Sequence, residues 1–131
     1  MGTKIIITAL SILSSITVVA QNESIILKKY SLYKCLSTNY KQVDSLFISH
    51  DYSASYMFQI QNADYNNLNS LDTFVNKTTS NYYKMDVVEN LEDNKANYIF
   101  WHCMDFYESK ELDNYIRKLI GVTPKKKTSK K

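Results

Sequence analysis

From Asn22 onward the apolar positions recur at helical spacing, not in the two-residue alternation of strands. Ile26, Tyr30 and Tyr33, with Leu32, Cys35 and Leu36 widening the stripe, predict a first helix from Asn22 or Ser24 to about Thr38. A second helical stretch is predicted over about 41–61. Val43, Leu46, Phe47, Tyr52, Tyr56 and Phe58 mark it, with a break near His50–Ser53 where capping residues cluster. Tyr65, Leu68, Leu71 and Val75, at i, i+3, i+6 and i+10, predict a third helix over about 63–77.

From Asn76 to Asn97 the pattern loosens. Thr78, Thr79, Ser80 and Asn81 read as loop, Met85, Val87 and Val88 as a short buried piece, and Glu89–Asn94 as acidic and turn-prone. Long loops of a compact domain either carry function or serve as solvated connectors, and this stretch is open to both readings. Beyond it the signal sharpens again. Ile99, Cys103 and Phe106 mark a buried helical face, and Ser109 is placed to cap a final helix. Glu111 sits in that helix's first turn, where the dipole favours acids, and Leu112, Tyr115, Ile116 and Leu119 form its apolar stripe. Arg117 and Lys118 occupy the last turn, and Gly121 followed by Pro124 ends it. The expected fold is therefore all-α, a small bundle of about four to six helices.

The first twenty residues have a different character. One lysine (Lys4) precedes an almost wholly apolar or small run from Ile5 to Val18, and Val18 and Ala20 stand third and first before Gln21, where signal peptidase prefers small residues. The run is short for a bilayer span of about 20 residues, so a cleaved export signal is expected over 1–20, an uncleaved anchor being the alternative. No cysteine follows the cut, so a lipid anchor is not indicated. The expected division is a signal peptide at 1–20, a helical domain at 21–122 and a basic, disordered tail at 123–131. Stable membrane insertion is not expected.

Removing the signal leaves 111 of the 131 residues, enough for one core without metals or several disulfides. The exported part has a single glycine, Gly121, and a single proline, Pro124. Sandwiches and barrels spend both on their many turns, and phosphate-cradling or dinucleotide loops need clustered glycines, so these classes are excluded, as is a glycine-flanked nucleophile elbow.

Charge separates the tail from the body. Lys125, Lys126, Lys127, Lys130 and Lys131 crowd the last seven residues, while residues 21–124 hold ten basic against thirteen acidic groups, a net of −3. The basic character thus belongs to the tail, which reads as a solvated end or, alternatively, as an attachment to anionic polymer. Nucleic-acid binding is not expected, because basic residues do not interleave with aromatics elsewhere. His50 and His102 form no ligand pair, so neither metal nor cofactor is expected. The sequons Asn22-Glu23-Ser24 and Asn76-Lys77-Thr78 are read as chance in an asparagine-rich chain.

Cys35 and Cys103 are the two cysteines. In an oxidising compartment an even pair reads as a disulfide, and closing a loop of about 68 residues is worth roughly 4 kcal/mol on the chain-entropy model. The rival reading makes Cys103 a nucleophile beside His102 or His50. His102, adjacent on a helix, points about 100° away and is poorly placed as a base. No catalytic residue is therefore assigned, and a binding protein is expected rather than an enzyme.

The string His102-Cys103-Met104-Asp105-Phe106-Tyr107-Glu108-Ser109-Lys110-Glu111-Leu112-Asp113 resembles the "KCLDxYxSxELD" signature of the amidase immunity proteins of bacterial type VI secretion, fourth family. Tyr30-Ser31-Leu32-Tyr33-Lys34-Cys35-Leu36 is similar to that family's first-helix "YxLxxCL" segment. The resemblance implies a periplasmic, all-helical homodimer that neutralises a cognate cell-wall amidase, a small papain-like enzyme that cuts peptidoglycan stem peptides. It implies inhibition by a protruding loop just upstream of the "KCLD" helix, here within about residues 80–97. Glu89, Glu92, Asp93, Asn94 and Lys95 then become the expected contact surface, although family loops often contain glycine and this one has none. Tyrosine is enriched at interface hot spots, and Tyr82, Tyr83 and Tyr98 flank the loop as anchors. The alternative is a periplasmic helical binding or structural protein with another partner.

Overall fold

The computed structural model describes residues 2–46, 48, 50–56, 65–85 and 96–122, with side chains from residue 21 onward except that of Tyr65. Four α-helices carry the described chain: α1 (Gly2–Val43), α2 (Tyr65–Thr79), α3 (Ile99–Glu108) and α4 (Lys110–Leu119), with a 3-10 turn at Tyr82–Lys84 between α2 and α3. No strand occurs among the described residues, as the periodicity predicts.

Helix α1 is longer at both ends than its expected span. Upstream, Asn22 and Ser24 do not start it. No proline or glycine interrupts residues 3–43, so the backbone ladder runs through them. Downstream it passes Thr38 and ends at Val43, where the Asp44 carboxylate accepts a hydrogen bond from the Leu46 amide at 3.0 Å and turns the chain. The helix expected from residue 41 therefore does not begin there. Val43 and Leu46 are exposed, so their apolar spacing does not mark a buried helical face here. The described residues from 44 to 52 carry no helix for the expected break near His50–Ser53 to interrupt, and the Asp51 carboxylate accepts from the Ser53 amide at 2.8 Å before a helical turn at 53–56. Phe47 and Phe58 lie outside the described residues.

The buried face of α1 reads Leu27, Ser31, Cys35, Asn39, with Tyr30 beside it. Its two polar members are compatible with burial because their hydrogen bonds are made. The Ser31 hydroxyl donates to the Leu27 carbonyl at 2.8 Å, and the Asn39 amide donates to the Cys35 carbonyl at 2.9 Å. Helix α2 lays Leu68, Leu71 and Val75 against this face. Between the two helices the Asp72 carboxylate takes the Lys34 ammonium at 2.8 Å on one oxygen and the Tyr30 hydroxyl at 2.6 Å on the other. Burial, and then the Asp72 charge and hydrogen bond, push the Tyr30 phenol well above its ordinary range.

Thr78 and Thr79, expected in a loop, instead close α2. Their hydroxyls donate to the Phe74 and Val75 carbonyls, each at 2.9 Å, so both are satisfied within the helix. In α3, Ile99, Cys103 and Phe106 are buried, as their spacing predicts. Ser109 forms a sharp corner between α3 and α4, and its side chain caps α4 by accepting from the Leu112 amide at 3.1 Å. Helix α4 buries Leu112 and Ile116, and Tyr115 stacks on Phe74 with ring centroids 3.9 Å apart. At its end Gly121 adopts φ 73°, with Gly121 and Val122 amides donating to the Lys118 and Arg117 carbonyls at 3.2 and 2.8 Å. That bond pattern is the Schellman closure, which requires a left-handed residue and so favours glycine.

The Cys35–Cys103 disulfide lies at the centre, fully buried, and joins α1 to α3 with Cα atoms 5.8 Å apart. The expected pairing is thus present, and neither sulfur is a free thiolate.

Candidate partner-binding surface

The segment expected to contact a partner is bracketed by two well-placed flanks. Before it, the 3-10 turn is closed by the Lys84 amide donating to the Asn81 carbonyl at 3.0 Å and the Met85 amide to the Tyr82 carbonyl at 3.1 Å. After it, the Asn97 side chain accepts from the Ile99 amide at 3.4 Å as α3 begins. The Tyr82 ring meets the His102 ring of α3 at 5.7 Å, so the flanks touch. Burial, then the negative charges of Glu111 and Asp105, raise the Tyr82 phenol above its ordinary value, and it stays neutral through the physiological range.

The three tyrosines expected as anchors divide. Tyr82 and Tyr83 are half-buried and pack against the core, Tyr83 also lying under the Lys84 ammonium at 5.1 Å. Tyr98 is 46% exposed at the start of α3. Glu89, Glu92, Asp93, Asn94 and Lys95 lie outside the described residues. Beside Tyr98 stand two aromatic residues that the sequence reading left unused, Phe100 at 58% and Trp101 at 67% exposure, with Met85 at 41% on the other flank. The helical period that turns Ile99 and Cys103 inward also turns Phe100 and Trp101 outward. Large aromatics grouped in solvent are uncommon away from contact surfaces.

A second apolar feature lies along α1. Ile25, Ile26, Leu32 and Leu36 face Tyr52 and Tyr56 across a groove of about 820 Å³, with Lys29, His50 and Asp51 along it. Residues 25–36 of α1 are thus apolar on both faces, the pattern of a helix with neighbours on two sides.

Among the described residues there is no group of three side chains able to hold a metal, and no helix with described side chains is long and apolar enough to cross a membrane. The fold and its exposed side chains define a small disulfide-tied helical domain with exposed aromatics at the start of α3. A profile of the Type VI secretion system (T6SS) amidase immunity protein family, Tai4, matches residues 25–116, from the middle of α1 to the last buried residue of α4. The chain belongs to this family of amidase immunity proteins. No curated protein matches the chain, and no solved structure does.

Proposed function

We propose that this protein binds a cognate peptidoglycan amidase delivered by type VI secretion and blocks its active-site cleft with the segment between the two flanks. The observation that carries the reading is the family match across residues 25–116, which spans both cysteines and both flanks. The exposed side chains of Tyr98, Phe100, Trp101 and Met85 support it, because exposed aromatics next to a contact segment in the chain are the kind of anchor that tight interfaces use. Filling a cleft needs no chemistry from the inhibitor, only an interface of about 1,200–2,000 Å² in total. In this reading the acidic residues Glu89, Glu92 and Asp93 enter or edge the cleft, with Asn94 and Lys95 at the tip.

The cell wall is the amidase substrate, so protection is needed in the periplasm. The signal-like residues 1–20 support export to that compartment, which also favours the disulfide. Cleavage before Gln21 leaves 21–122 as the working domain and 123–131 as its basic tail. The apolar groove beside α1 is the face proposed to join two copies into a homodimer, and light scattering at micromolar concentration should return twice the mass of the mature chain.

The direct test is protection in cells. Co-expression with the partner amidase, both exported to the periplasm, should prevent the lysis that the amidase causes alone. Lysis that continues with abundant folded protein present would remove the reading.

A further inference from the structure

Cys35 and Asn39 stand one turn apart on the buried face of α1, and neither has any exposed surface. The Cys35 sulfur is bonded to Cys103, which holds α3 and so the flank that follows the proposed inhibitory segment. Asn39 holds the flank that precedes it. Its side-chain oxygen accepts from the Tyr83 backbone amide at 2.9 Å, and its nitrogen donates to the Thr79 carbonyl at 2.9 Å and to the Cys35 carbonyl at 2.9 Å. The same nitrogen lies 3.9 Å from the Cys35 sulfur. One helical turn of α1 therefore anchors both flanks, one through a covalent bond and the other through a buried amide.

We propose that Asn39 is a positioning residue for amidase inhibition, acting with the disulfide to present the two flanks at one fixed separation. The chemistry at this position is specific. It needs two donors and an acceptor in one short side chain. Aspartate lacks the donors, serine has a single donor, and leucine offers neither. A binding element whose ends are held before contact loses less conformational freedom on association, so this anchoring acts on affinity as well as on folding. The proposal rests on the inhibitory role proposed above for the segment between the flanks.

The test compares Asn39→Ala and Asn39→Ser with Leu68→Ala, a core truncation in α2. Serine can still donate to the Cys35 carbonyl, as Ser31 does to Leu27, so it cuts the ties to Thr79 and Tyr83 with a smaller burial cost and stands in if the alanine variant fails to fold. Three quantities are measured on the oxidised full domain: hydrogen exchange at the Tyr83 amide, thermal unfolding, and affinity for the amidase below every variant's unfolding range. The Asn39 variants should accelerate exchange at Tyr83 by about tenfold or more beyond the change in core amides. They should also weaken amidase binding by about 30-fold, while Leu68→Ala changes it by less than about threefold. Equal loss of binding in Leu68→Ala, or wild-type binding in both Asn39 variants, would overturn the proposal. Should the wild-type domain bind no amidase, the inhibitory role fails first. Exchange at Tyr83 then still decides the anchoring, and unaccelerated exchange in both variants ends it.

Discussion

On the inner side of α3, Ile99, Cys103 and Phe106 are shut away from solvent, whereas Phe100 and Trp101, beside the first of them in the chain, stand mostly open to it. The two groups have similar chemistry and sit on one ten-residue helix, yet they answer to different demands. The inner group meets α1, α2 and α4, and its cost of removal is a cavity in a core with few other layers. The outer group is mostly exposed, so its removal should affect folding little and appear chiefly when a partner arrives. That separation is a statement about mutants, and it can be broken.

The largest expected effect belongs to the inner face. Phe106→Ala removes a ring that lies 6.1 Å from Phe74, and should destabilise by about 3–5 kcal/mol in urea unfolding. A loss below about 1 kcal/mol would mean that the inner face is not the core. Next is the disulfide. Replacing Cys35 and Cys103 together by serine should cost about 2–5 kcal/mol, because the chain between them is 68 residues long in sequence and the pair sits in the core. Reductant should lower the unfolding temperature of the wild type and leave that of the double variant unmoved.

For the outer face, Trp101→Ala should change stability by less than about 0.5 kcal/mol while weakening amidase binding by about 2 kcal/mol, roughly 30-fold. Paired loss of stability and binding would erase the distinction between the faces. A smaller effect comes from the Tyr30–Asp72 contact on α1. Burial and the Asp72 carboxylate raise the folded-state phenol pKa, so as pH climbs past about 10 the unfolded chain loses this proton before the folded one does. The folded state then binds more protons, and stability falls with rising pH from that point toward the raised folded-state value. Tyr30→Phe should cost about 1 kcal/mol at neutral pH and flatten that alkaline decline, as read from unfolding free energies at pH 8 to 11. The subtlest effect is spectroscopic. Trp101 is the chain's single tryptophan and is mostly exposed, so its emission maximum should shift little on unfolding.

What the amino-acid order made legible follows the range of each interaction. Helix α4 could be read start to finish, since its Ser109 cap, acidic first turn and Gly121 stop all act within a few residues. The disulfide was legible because two cysteines behind a signal-like segment leave one pairing. The stretch after Val43 was misread because apolar spacing says which residues share a face, and says nothing about whether a neighbour exists to cover it. Leu46 has the spacing and is 77% exposed. Thr78 and Thr79 read as loop by composition, and their bonds to carbonyls four residues back reversed that. Asn39 was out of reach altogether. Its decisive partners, Thr79 and Tyr83, lie 40 and 44 residues away, and no local pattern distinguishes a buried clamp from an exposed asparagine. At the proposed binding surface, the place of Tyr98 beside the weakly patterned stretch points to it, while Phe100 and Trp101 carry no signal in the spacing that marks the inward face of the same helix.

The central claim is that this domain inhibits by occupying another enzyme's cleft and performs no chemistry of its own. The most direct measurement is a titration of the purified, oxidised domain into the partner amidase, following cleavage of a peptidoglycan stem peptide. The account predicts that turnover falls linearly to zero near one domain per enzyme, and that the domain alone leaves the peptide intact. Full amidase turnover at saturating domain, or cleavage by the domain alone that vanishes with Cys103→Ser, would contradict it.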